Sequence, residues 1–202
     1  MLLARESSLG YYANYTNTGV FLEKIQNVYI GDISLGQLVG SKLDIGESFL
    51  IDLQNEDDWG FVVKLAALLE AVVTELLIQN IDNEKINIHI TKLNLLGATG
   101  KLKLGKELDA LNPRLVKLCN AFQPLRNKFV HSTKYLHTPF NEFLSDYTDI
   151  ADKLKSTLPA VERNSTSSQG KNINLNEIFE EDSRQAIYLS ALMVLAESLT
   201  GL

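Results

Sequence analysis

The stretch DDWGFVVKLAALLEAVVTELLIQN, residues 57–80, decides the fold. Phe61, Val62, Val63, Leu65, Ala66, Leu68, Leu69, Val72, Val73, Leu76, Leu77 and Ile78 cover nearly every face of a helix drawn through it. A helix apolar all round belongs at the centre of a protein, with other helices covering it. Asp57 and Asp58 suit its first turn, where the helix dipole favours negative charge, and Asn55 is placed to cap it. Glu70 and Glu75 interrupt the apolar surface. A lone buried carboxylate is costly, so each is expected to be paired or at an edge.

Downstream, Ile86, Ile88 and Ile90 alternate with polar residues, and this period of two predicts a short strand. Gly97-Ala-Thr-Gly100 reads as a turn. Asn112-Pro113 is an N-cap followed by proline at the first helical position. Leu115, Leu118, Phe122, Leu125 and Phe129 then form one helical stripe, and Pro124 inside it predicts a kink or a restart. Thr138-Pro139 repeats the cap-plus-proline start, leading into one amphipathic helix through Phe140, Phe143, Leu144, Tyr147, Ile150 and Leu154. A polar linker occupies about residues 163–176. Ser183 is expected to cap a last helix carrying Ile187, Leu189, Leu192, Val194, Leu195 and Leu199. Upstream, residues 20–28 have helical spacing, and Ile33 to Leu53 fits short helix or strand equally. The fold class is therefore mainly α: an antiparallel helical bundle over residues 55–202, with residues 1–54 as an irregular N-terminal extension or subdomain.

The chain has 202 residues, 45% hydrophobic and 22% charged, which is an ordinary globular composition. Its formal charge of −6 means that a polyanion would bind only at a local patch, not through bulk charge. The single cysteine, Cys119, excludes an intrachain disulfide framework and lies beside the apolar stripe as a small core residue. No apolar run reaches the ~18 residues of a membrane span, and the N-terminal apolar run is short for a signal peptide. These features predict a soluble cytoplasmic protein with no membrane partner. His89 and His137 have no neighbouring ligand at metal-binding spacing, so neither a metal nor another cofactor is expected.

Gly100-Lys-Leu-Lys-Leu-Gly105-Lys106 nearly matches the phosphate-loop pattern GxxxxGK[ST]. Glu107 stands where the magnesium-binding hydroxyl belongs, and a carboxylate there would repel the phosphates. Leu102 and Leu104 suit a packed element, so the segment reads as a turn leading into a helix. Charge is nonetheless concentrated nearby. From Lys101 to Lys134 there are eight basic residues (Lys101, Lys103, Lys106, Arg114, Lys117, Arg126, Lys128, Lys134) against Glu107 and Asp109, a local net of +6, and the rest of the chain carries −12. Such asymmetry is what a phosphate-binding face requires; a solvated helix pair with clustered lysines is the plainer alternative.

Within that region Arg126-Asn-Lys-Phe-Val-His131 places a permanent cation, an amide and an imidazole within six residues. Asn127 and His131, four apart, share a helix face. Arg126 and His131, five apart, lie about 140° apart around a regular helix. A kink at Pro124, the long arginine arm or a second subunit must close that gap. A new helix beginning at Pro124 would also offer free amides to an anion.

This motif resembles the R-x4–6-H signature of the HEPN superfamily, in the form R-N-x-x-x-H. The apolar helix through Leu68–Leu77 and the segment Leu104–Leu108 are similar to the elements that precede the motif there, and the mannitol-repressor-like branch is the nearest in flavour. The resemblance covers roughly Asp57 to Asp152. It implies a helical bundle that homodimerises with the two motifs facing each other. Many members are metal-independent RNases, often toxins or antiphage effectors, so RNA and an antitoxin or other protein are the implied partners. Other members are catalytically silent regulatory or binding modules. A nucleotide-modified subgroup looks like R-x4-H-x-Y; here Thr133 takes the tyrosine position and Tyr135 follows two residues later.

Metal-free RNA cleavage uses the 2′-hydroxyl as nucleophile and needs a base, an acid and cations for the crowded phosphoryl charge. His131 has the ionisation range for acid or base work. Arg126 grips two phosphate oxygens, and Asn127 orients the imidazole or binds phosphate. Lys101, Lys103, Lys106, Lys128 and Lys134 are the expected backbone-tracking lysines. One histidine per chain does not serve easily as both acid and base, whereas a two-fold dimer supplies two. The expectations are thus a composite Arg126/His131 ribonuclease site or, alternatively, a silent regulatory module on the same fold.

Overall fold

The apolar run does form the central helix, and its cap fixes where it begins. The computed structural model describes residues 29–30, 33–46, 48–158 and 174–201. A short antiparallel pair, β1 (Tyr29–Ile30) and β2 (Ile33–Ser34), leads into α1 (Leu35–Leu43) and α2 (Phe49–Asn55). Then come α3 (Asp58–Ile81), α4 (Glu84–Lys92), α5 (Lys101–Glu107) and α6 (Pro113–His131). A 3₁₀ turn (Thr133–His137) joins α6 to α7 (Phe140–Asp146), α8 (Thr148–Lys155), α9 (Leu175–Glu181) and α10 (Ser183–Thr200). The helix expected over residues 20–28 and most of the polar linker lie outside the described residues.

The protein is a mainly α helical bundle. Helix α3 packs against α6, and α1, α2, α5 and α10 close around the pair. Phe61, Val62, Leu65, Leu69, Val72, Val73 and Leu77 of α3 and Leu115, Leu118, Phe122, Leu125 and Phe129 of α6 are all buried. Val39, Leu50 and Leu53 of α1 and α2 belong to the same core, so these two helices share it with the downstream bundle. Among the described residues no helix is long and apolar enough to cross a membrane.

Several local expectations are corrected. The alternating isoleucines form α4, not a strand. Asn83 caps it through Lys85 N at 3.1 Å, Glu84 fills its first turn, and among the described residues no strand lies beside it. Ile90 is buried, whereas Ile86 and Ile88 are exposed. Asp57 rather than Asn55 caps α3, accepting from Gly60 N at 2.6 Å; Asn55 ends α2 instead. Asp182, one residue before the expected Ser183, caps α10 through Gln185 N at 2.9 Å.

Helix α6 runs through Pro124 without restarting. The expected helix over residues 140–154 divides at Tyr147, whose backbone (φ −124°, ψ 67°) is not helical. Thr138 does not cap α7: its hydroxyl donates to Lys134 O, and the Asp58 carboxylate accepts from Phe140 N at 2.8 Å instead. Asp58 also pairs with Arg184 at 2.8 Å, and Arg184 donates to Gln54 O at 2.9 Å while its guanidinium lies 4.7 Å from the Phe61 ring centre. One carboxylate thereby fastens the starts of α3, α7 and α10 together.

Candidate functional site

Leu125 and Phe129 are drawn into the core at a spacing of four, and this rotates Asn127, Lys128 and His131 of α6 outward. They meet the 3₁₀ turn, where Ser132 and Tyr135 complete the wall of an open groove of about 520 Å³ with Pro124 at its far end. The turn is held by an aromatic cluster. Phe143 lies 4.8 Å from Phe129 and 5.0 Å from Tyr135 between ring centres, and the Tyr135 and Tyr147 hydroxyls are hydrogen-bonded. That bond to Tyr147, with burial, holds the Tyr135 phenol above the usual tyrosine range.

Arg126 is absent from the groove wall, as its angular separation from His131 dictates. Its Nη1 donates to Asn127 Oδ1 at 3.2 Å, which swings the guanidinium toward the face that Asn127 shares with His131. Among the described residues Arg126 pairs with no carboxylate; Glu70 and Glu75 are engaged elsewhere, with Lys101 and Gln79. The uninterrupted α6 also removes the free amides expected at Pro124. The groove lies at the carbonyl end of a helix, where the dipole favours cations. An anion there must be held by side chains, and Arg126, Lys128 and Lys134 are the cations at hand, beside the His131 imidazole.

The five candidate lysines separate into distinct environments. Lys101 is 3% exposed and its Nζ contacts the partly exposed Glu70 carboxylate at 2.8 Å, so its ammonium is buried in an ion pair and is not presented to a ligand. Lys103 is exposed and faces Glu107 one turn on, at 3.7 Å. Lys106 is exposed on α5. Lys128 and Lys134 stand beside the groove, with Nζ over the rings of Tyr147 (4.7 Å) and Tyr135 (5.3 Å). Of the remaining basic residues in the patch, Arg114 pairs with Glu197 at 2.6 Å and Lys117 donates to Ser156 O. Within the patch Lys106, Lys117, Arg126, Lys128 and Lys134 have no carboxylate partner among the described residues, and the last three stand together at the end of α6.

The near phosphate loop is helix α5. Gly105 sits there because a Cβ would overlap the Leu111 side chain, not because a phosphate approaches it. Cys119 is buried, and burial pushes its thiol up to about 12. Among the described residues no three His, Cys, Asp or Glu side chains gather as metal ligands. Sequence reasoning did not foresee Ser132, Tyr135 or Tyr147 as neighbours of the motif. A tyrosine two and another fourteen residues beyond Thr133 were the available signal, but only the 3₁₀ turn and the break at Tyr147 bring Tyr135 to the groove wall and Tyr147 against Tyr135 and Lys128.

The chain matches no protein-family model, no curated protein and no solved structure.

Proposed function

We propose that the chain is a HEPN-type nucleic-acid-binding protein that cleaves RNA without a metal ion, through Arg126 and His131 of two facing protomers. The observation that carries this reading is the groove at the end of α6, where His131, Asn127 and Lys128 share one wall and Asn127 tethers Arg126. Val130 and Leu136, both exposed beside it, supply apolar surface for a partner protomer.

In the composite site one His131 takes the proton from the 2′-hydroxyl, whose oxygen attacks the adjacent phosphorus. The P–O5′ bond breaks, the partner protomer's imidazolium protonates the leaving oxygen, and a 2′,3′-cyclic phosphate and a 5′-hydroxyl result. Arg126 offsets the charge gathering on the phosphoryl oxygens. Asn127 holds the guanidinium toward the scissile phosphate.

The test is cleavage of single-stranded RNA in EDTA, with sedimentation to establish the dimer. His131→Ala and Arg126→Ala are expected to abolish cleavage while circular dichroism stays unchanged, because both side chains lie outside the core. Intact RNA with wild-type protein would discard the ribonuclease. A second reading, a silent regulatory module, is favoured by the placement of Arg126 outside the groove of its own chain. It predicts RNA or protein binding without cleavage.

A further inference from the structure

We infer that Tyr147 is a stacking platform for an unpaired base, held covered by the Lys128 ammonium until RNA arrives. This rests on the proposed reading of the groove as an RNA site and adds a specificity-determining residue to it. Tyr147 is half-buried. Its inner face stacks on the buried Phe143, with ring centres 4.6 Å apart and planes at 29°. Its edge meets Tyr135 at 78°, and the two hydroxyls are hydrogen-bonded. These contacts lock the ring in place and leave one face outward, and over that face lies the Nζ of Lys128, 4.7 Å from the ring centre.

Lys128 is exposed, lines the groove, and has no carboxylate partner among the described residues. Its position over the ring is a weak exposed cation–π contact. A base stacked on the same face gains more, and the displaced ammonium, on its flexible stem, pairs with a backbone phosphate. Exchange of one cover for the other thus recruits both groups. A duplex cannot make it, because its bases are already stacked and paired. The ring is backed by Phe143 and Tyr135, so little ordering is needed at binding.

The experiment measures binding of the full chain carrying His131→Ala, which suppresses cleavage, to a nine-nucleotide RNA with 2-aminopurine at its centre. The same RNA as a duplex is the comparison. Stacking is expected to quench the fluorophore, and the single strand is expected to bind more tightly than the duplex. Tyr147→Leu weakens single-strand binding about tenfold and removes the quench; Tyr147→Phe, which keeps the ring and loses the hydroxyl pair, preserves both. Equal single-strand affinity in Tyr147→Leu, or an absent quench with Tyr147 intact, overturns the platform and leaves the ribonuclease reading standing. Should Tyr147→Leu not fold, the quench in the tyrosine-bearing protein decides alone. Failure to bind either RNA overturns both the groove reading and the platform.

Discussion

Trp59 and Phe129 are seventy residues apart, and the indole Nε1 of the first donates to the main-chain carbonyl of the second at 3.1 Å. The carbonyl belongs to the last turn of α6, where helical carbonyls have no partner within the helix. Trp59 lies in the first turn of α3. The bond therefore pins the end of α6, two residues before His131, to the central helix.

Trp59→Phe keeps the apolar bulk and removes the donor. It is expected to cost about 1 kcal/mol, read as a lower urea midpoint by circular dichroism. Trp59 is also the only tryptophan of the chain, so its emission is expected to shift when RNA fills the groove. Unchanged emission at saturating RNA would argue against binding at the end of α6.

The Lys101–Glu70 pair is asymmetric: the lysine side chain is 4% exposed and the glutamate 41%. Glu70→Gln strands the buried ammonium and is expected to destabilise by about 1–3 kcal/mol, reduced from the fully buried case because water screens the glutamate. Lys101→Met, which retains the packed stem, is expected to be milder by urea titration. It should leave RNA affinity unaltered, whereas Lys128→Ala should lower the salt dependence of binding by about one unit of slope.

Asp58 accepts from Phe140 N and from Arg184 at once. Asp58→Ala is expected to cost about 2–4 kcal/mol, and Asp58→Asn less, since an amide oxygen still accepts from Phe140 N. A double-mutant cycle of Asp58→Ala with Arg184→Met should show coupling. Strict additivity in thermal unfolding would mean the ion pair contributes nothing.

Alkaline pH should unfold the protein. Burial raises the Cys119 thiol from 9.0 to about 12 and the Tyr188 phenol from 10.0 to about 12. Between those values the unfolded chain releases protons that the folded chain retains, so stability falls as pH rises. Below about pH 8 both groups are neutral in either state and contribute almost no slope. Urea midpoints measured from pH 8 to pH 11 are expected to be level at first and then to decline.

The core was legible because hydrophobic periodicity reports burial: Phe61, Leu65, Leu69, Val72 and Leu77 of α3 and the stripe Leu115, Leu118, Phe122, Leu125 and Phe129 of α6 lie inside. The boundaries were less so, because the interactions that set them are tertiary. Phe140 is capped by Asp58, eighty-two residues away, and nothing in Thr138-Pro139 reveals that. The isoleucines of α4 alternate, yet a strand needs a neighbouring strand, and among the described residues α4 has none. At the site, the shared face of Asn127 and His131 was visible in their spacing of four, as was the angle that keeps Arg126 off that face. The burial of the Lys101 ammonium against Glu70 was not, since its partner lies on another helix.

The burial of Cys119 has a practical side. The one thiol of the chain is sealed in the core, out of reach of maleimides and other alkylating probes while the fold is intact. A cysteine introduced at Ser132, on the groove wall, would take a spin label or fluorophore without first editing the native sequence. Distances between two such labels would then test the proposed pairing of protomers, because facing grooves require a short, defined separation and a monomer gives none.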